Sequence, residues 1–188
     1  MVYGGLVNKK IVAQLQSFAC NAIGLTGADG NIIPAVKRPV ADVDFGWVGD
    51  ITKVNVERLK ALLDAGFIPV FAPLTHDEQG HILNTNADTI ASSLAVALSG
   101  LYDVRLIYCF EKKGVLQDVN DHDSVINLIN KKTYRQLLDD NKLFEGIIPK
   151  IDNAFAAIDA GVKEVLIGDA KDLLQNLTVK TTGTLFTK

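Results

Sequence analysis

The chain has 188 residues, 48% hydrophobic and 22% charged, with 19 basic against 22 acidic residues and a formal net charge of −3. That make-up excludes a disordered or fibrous protein and suits a globular chain of about one domain, able to bury roughly 70% of its unfolded surface. It has no basic tract for nucleic-acid phosphates, and no apolar run approaches the ~20 residues that cross a bilayer. Neither nucleic acid nor membrane is an expected partner. The N-terminus shows no charged-then-apolar leader pattern, and Cys20 and Cys109 sit in apolar contexts as small buried hydrophobes. A cytosolic, reducing compartment is the expected location.

Met1 to Gly5 is a short lead, and Asn8 to Cys20 reads as a helix with Ile11, Val12, Leu15 and Phe18 on one apolar stripe. A short strand follows from Asn21 and ends in a turn whose Gly24, Gly27 and Gly30 fall at G-x-x-G-x-x-G spacing. This is neither the dinucleotide fingerprint nor a P-loop, and a strand ending in a glycine-rich turn accounts for it. Val36 to Lys53 alternates apolar and polar residues around Trp47, as a hairpin at a sheet edge would, and the large Trp47 ring reads as packing. Asn55 is an expected N-cap for a helix from Val56 to Ala65, stopped by Gly66. The apolar run Phe67 to Pro73 predicts a short strand buried on both faces. His76 and His81, spaced without helical register or a nearby cysteine, read as solvated loop residues, so no metal site is expected.

The chain is organised around Asn84-Thr85-Asn86-Ala87-Asp88 and the Ala/Leu/Ile/Val-rich helical run behind it. Asn86 is placed to cap that helix, and Asp88 puts a carboxylate where the helix dipole favours one. A single cap satisfies the helix start, so Asn84 and Asp88 are surplus polar groups. That surplus points to a site.

Asp103 to Phe110 then predicts a buried strand, followed by Glu111-Lys112-Lys113-Gly114-Val115-Leu116. Ligands of open α/β sheets bind beyond the carboxyl ends of strands, so this loop suits a nucleotide; a Lys-rich solvated turn is the alternative. Asp118 to Asp123 is an acidic loop without the glycine and terminal glutamate of a calcium-binding loop. A short helix is expected from Thr133 to Asp140, and a long amphipathic one from Pro149 through Ala160, closed by Gly161. Lys150 falls in the first turn of that helix, where the dipole opposes a cation. A lysine so placed calls for an anion. Val162 to Gly168 reads as a last buried strand. Strands alternating with helices predict an α/β fold, a three-layer α/β/α sandwich with a largely parallel central sheet.

Leu83-Asn84-Thr85-Asn86-Ala87-Asp88 resembles the Asn-x-Asn-Ala-Asp motif of the amino-acid kinase family, in the branch that phosphorylates acetylglutamate. The likeness runs along the whole chain. Val2 to Lys9 is similar to a Val-x-x-Gly-x-Val-Asn-Lys segment, Gly24 to Gly30 to Gly-Leu-Ser/Thr-Gly-x-Asp-Gly, and Phe45 to Asp50 to Gly-Phe-Val-Gly-Asp/Glu. Gly146 to Lys150 is similar to Gly-Gly-Met-Ile-x-Lys, and Gly183 to Phe186 to the family's Gly-Thr ending. Glu111, Lys112 and Lys113 depart from the family's Asp-Val-x-Gly-Val-Leu, and Glu145 stands where the family has a glycine. The upstream phosphate-binding lysine, the glycine-rich turns and the substrate-binding arginine of the family have no counterpart here.

The resemblance implies ATP-dependent phosphorylation of the γ-carboxylate of an N-acyl-L-glutamate, acetyl or succinyl, in arginine biosynthesis. Lys150 and Asp88 would be catalytic, and Asn84 and Asn86 would bind substrate. Glu111, Lys112, Lys113, Gly114, Val115, Leu116 and Phe144 would bind the nucleotide. Mg2+ would arrive with ATP, with no protein metal site, and the assembly would be a homodimer. One kinase-like domain is expected, with about 1–83 from a substrate lobe and about 84–188 forming a nucleotide lobe. Lacking the family's first segment, the chain alone is expected to transfer little phosphate and to associate readily. The alternatives are a non-catalytic ligand-binding or oligomerisation module, or a related kinase with another acceptor such as aspartate, carbamate or UMP.

Overall fold

The computed structural model describes residues 2–118, 120–178 and 180–188. The lead at Met1, one position of the acidic loop (Val119) and the Glu145 side chain lie outside the described residues. The chain divides into two compact units, Met1–Ala97 and Leu98–Lys188.

In the first unit, a π-helical turn, Val2–Val7, runs directly into α1 (Asn8–Ser17), so the paired glycines of the lead do not interrupt the helix. α1 stops short of Cys20 because Ala19 takes a left-handed backbone, φ 56°. Its expected apolar stripe is only partly covered: Val12 and Leu15 are half-buried, while Phe18 is 82% exposed. β1 (Ala22–Leu25), β2 (Ala35–Lys37), β3 (Gly49–Ile51), α2 (Val56–Asp64), β4 (Ile68–Phe71), β5 (Leu74–His76), β6 (Ile82–Asn84) and α3 (Ala87–Ser99) follow. β1 and β4 pair in parallel, and β2–β3 and β5–β6 are antiparallel hairpins. The core of the unit gathers Leu25, Ile32, Ile33, Leu59 and Leu83.

Several expectations are corrected by tertiary partners. The apolar run around β4 is half-buried rather than covered on both faces, and Ile68 is exposed. Asn55 precedes α2 without capping it, since its amide donates to the Asn31 carbonyl instead. His76 is not a solvated loop residue: it ends β5, half-buried, with Nε2 2.9 Å from Asn31 Oδ1. The expected hairpin is present as β2–β3. It forms a two-stranded sheet of its own, linked to the β5–β6 hairpin by the single bridges Pro34–His76 and Val48–Asn84.

In the second unit, β7 (Arg105–Phe110), β8 (Leu128–Ile129), α4 (Lys131–Asp139), a 3-10 turn Glu145–Ile147, α5 (Ile148–Asp159), β9 (Glu164–Asp169), α6 (Leu173–Asn176) and β10 (Thr184–Phe186) form one α/β layer set. The strand order is β7-β9-β10-β8, with β7/β9 and β8/β10 parallel and β9/β10 antiparallel. The α/β expectation holds, with a mixed sheet built on its parallel pairs. Ile151, Phe155 and Ile158 of α5 pack with Val165, Leu166, Ile167 and Phe186, and the Phe155 ring meets Phe186 edge-on at 5.7 Å. Along β7 the period of two buries Leu106 and Tyr108, so Cys109 points the other way and is exposed rather than buried. Among the described residues no helix is long and apolar enough to cross a membrane.

Candidate functional site

Because β7 and β9 run parallel and in register from Arg105↔Glu164 to Phe110↔Asp169, their carboxyl ends lie side by side. α5 begins at the same end, with Pro149 in its first turn, where a missing N–H costs the helix nothing. Together these ends enclose a cavity of about 660 Å³, in the size range of small-molecule sites. Cys109, Phe110 and Glu111 line it from β7 and beyond, Ile167 and Ala170 from β9 and just after it, and Phe144, Gly146 and Lys150 from the approach to α5 and its first turn.

Two lysines in this cavity lie over aromatic rings. Lys150 Nζ is 3.2 Å from the centre of the Phe110 ring, and Lys112 Nζ is 5.2 Å from that of Phe144. Among the described residues Lys150 forms no salt bridge. Its charge is therefore available to a ligand. The rest of the β7 loop divides by role. Glu111, Lys112 and Gly114 line the cavity, whereas Lys113 pairs with Asp123, which holds its ammonium above the usual lysine range. Val115 and Leu116 are core residues, 1% and 3% exposed.

The loop is anchored from behind by residues to which sequence reasoning assigned no role. Thr184 Oγ1 accepts the buried Val115 N–H at 2.8 Å, and a side chain at Gly114 would come within 2.6 Å of that same oxygen. Gly183 lies so close to β9 that a Cβ would stand 2.5 Å from the Ile167 carbonyl. Asn176, buried on α6, accepts from the N–H groups of Thr182 and Gly183, both at 3.1 Å, and so carries the chain into β10. The Gly183-Thr184 pair was the available signal for this anchor. Phe110 gave none, since an aromatic residue ending a strand reads as packing.

In the first unit, the motif residues are placed by β6 and α3. Asn84 ends β6, its N–H donating to the Trp47 carbonyl at 2.7 Å. Its side chain is exposed and makes no hydrogen bond among the described residues. Asn86 caps α3 as expected, accepting from the N–H groups of Asp88 and Thr89. Asp88 is half-buried in the first turn. Between them, the Thr85 hydroxyl is buried and donates to the Gly49 carbonyl at 3.1 Å, while accepting from Thr75 at 2.8 Å. Gly49 has no room for a side chain, since a Cβ would lie 2.7 Å from Thr75 Oγ1 and 2.8 Å from Leu83 Cβ. The β2–β3 hairpin is thereby locked to the motif strand. Among the described residues no group of three His, Cys, Asp or Glu side chains is placed to hold a metal ion.

The model of the amino acid kinase family matches residues 1–169. An acetylglutamate kinase of Phocaeicola vulgatus is 60% identical over 167 residues, covering 89% of this chain and 65% of that protein. One of Cytophaga hutchinsonii is 56% identical over 186 residues, covering 98% of this chain and 70% of that protein. The chain thus spans about two thirds of the length of the curated relatives it matches. Among solved structures, one from Streptococcus mutans UA159 superposes with a TM-score of 0.76 at 31% identity, covering 99% of this chain and 69% of that one. N-acetylglutamate synthase from Neisseria gonorrhoeae, complexed with coenzyme A and N-acetyl-glutamate, superposes with a TM-score of 0.82 at 26% identity, covering 98% of this chain and 42% of that one.

Proposed function

The chain belongs to the amino acid kinase family, and from that membership we propose that it serves the ATP-dependent phosphorylation of the γ-carboxylate of an N-acyl-L-glutamate, a step of arginine biosynthesis. The observation that carries this reading is the cavity at the carboxyl ends of β7 and β9, into which the first turn of α5 brings an ammonium with no salt-bridge partner among the described residues. Phosphoryl transfer needs positioning and compensation of the charge on the transferring group, with little covalent chemistry by the protein. Lys150 supplies positive charge to the phosphates, and Lys112 adds a second cation at the rim. The Phe144 ring takes the nucleotide's less polar part, with Cys109, Glu111 and Gly114 along the wall beside it.

On the acceptor side, the exposed Asn84 side chain makes no hydrogen bond among the described residues, and it holds the acylated amino acid. Asn86 sets the loop between Asn84 and the helix, and Asp88 takes the orienting role of the family's motif aspartate. Mg2+ enters with ATP. Among the described residues the cavity wall offers a single carboxylate, Glu111, which suits a metal held mainly by phosphate oxygens and water rather than by a protein cage. When bound, the ion neutralises phosphate charge. A homodimer is the assembly proposed.

Calorimetric titration with N-acetyl-L-glutamate, N-succinyl-L-glutamate, L-aspartate and UMP, each in the presence of Mg-ADP, tests the acceptor. The two acylglutamates are expected to bind and the other two not; tighter binding of aspartate or UMP would replace the reading by another kinase. Transfer itself is read as acyl phosphate trapped by hydroxylamine.

A further inference from the structure

Phe110 is the last residue of β7 and faces Asp169 across a six-residue parallel ladder, so the base of its side chain is fixed by the sheet. Its ring stacks against Tyr108, with centroids 6.2 Å apart. On its cavity side the ring carries the Lys150 ammonium at 3.2 Å from the centroid. Lys150 comes from a different rigid element, the first turn of a 12-residue helix whose positive dipole end opposes a cation. A lysine side chain is long and loses much rotamer freedom when fixed. The π face of a phenyl ring attracts an ammonium more strongly as water is withdrawn, and a half-buried cavity wall withdraws some of it.

We propose that Phe110 is a positioning residue for Lys150, holding one side of its ammonium in a single orientation, with the other N–H donors left to meet a ligand phosphate. This rests on the assignment of the cavity to a nucleotide. The ring occupies one side of the ammonium, whose three donors can still reach a phosphate oxygen on another side, so the contact persists in the complex. Part of the cost of ordering the lysine is thereby met before the nucleotide arrives, which favours binding. An aliphatic residue at position 110 would keep the packing on Tyr108 but offer the ammonium nothing.

The test combines a spectroscopic signature with binding. In the ligand-free protein, the ε-methylene protons of Lys150 should resonate upfield of the free-lysine position because of the ring current, and they should stay upfield when Mg-AMP-PNP is added. Phe110→Leu should abolish the upfield shift and weaken Mg-AMP-PNP by about 3- to 30-fold, the range expected for one cation–π contact. Phe110→Tyr, which keeps the aromatic face, should restore both, and this rescue separates positioning from packing. An unshifted Lys150 in the ligand-free wild type, or Phe110→Leu binding as tightly as wild type, would overturn the proposal. An upfield shift in a protein that binds no Mg-AMP-PNP would instead overturn the nucleotide reading while leaving the ring contact standing.

Discussion

Asn86 Oδ1 accepts the backbone N–H of Asp88 at 2.8 Å, so within one five-residue motif a capping side chain and a surplus one, Asn84, stand two positions apart. Their substitutions should separate cleanly. Asn86→Ala removes the cap and should cost about 1 kcal/mol of stability by urea unfolding. Asn84→Ala, at an exposed side chain, should leave the urea midpoint unchanged while weakening N-acylglutamate binding by about 1–3 kcal/mol and Mg-ADP hardly at all. Equal loss of both ligands on Asn84→Ala would remove it from the substrate site.

The anchor behind the β7 loop gives a second expectation. Thr184→Val preserves shape but strips the buried Val115 N–H of its acceptor, and a donor so orphaned costs about 1–3 kcal/mol. Thr184→Ser keeps the hydroxyl and should recover most of that loss. Chemical unfolding of the pair, with wild type alongside, is the measurement; a Thr184→Val protein as stable as wild type would mean that the loop finds another acceptor.

The β5–β6 turn has a pH signature. Burial pushes the Asp77 carboxyl up, but the N–H groups of Gln79 and His81 and the His81 ring outweigh it and bring it down to about 2. A carboxyl depressed on folding contributes stability that is fully present above its unfolded pKa of about 3.9 and is lost as pH falls toward 2. Unfolding midpoints should therefore decline through that window in wild type. In Asp77→Asn this part of the decline should be absent, and a side-chain carbon titration of Asp77 should give a midpoint near 2. An ordinary carboxylate midpoint would contradict the assignment.

Elements set by contacts within a few residues were legible in the sequence. The Asn86 cap, the Gly66 stop, the helix behind Pro149 and the strand ending at Phe110 all follow from local chemistry. What escaped depends on partners distant along the chain. Asn55 looked like a cap, but its amide goes to Asn31, 24 residues away. Cys109 looked buried because the run around it is apolar, yet strand parity turns it outward. Lys150 was legible as a first-turn residue of α5, because Pro149 fixes the start of the helix. Its resting place on Phe110 was not, since only the parallel pairing of β7 and β9 brings the end of one strand to the start of α5. Thr184 belonged to a recognisable Gly-Thr pair whose role appears only once β10 is laid beside the β7 loop.

In the proposed function Lys150 meets the nucleotide phosphates, and the most direct measurement of that contact is calorimetric titration of Mg-ATP into wild type and Lys150→Ala, with the melting temperature of each. Wild type should bind one Mg-ATP per chain, and Lys150→Ala should bind it at least about tenfold more weakly, in line with loss of a charge-assisted contact, at an unchanged melting temperature. Equal affinities in the two proteins would contradict this role of Lys150 and leave the cavity without its cation.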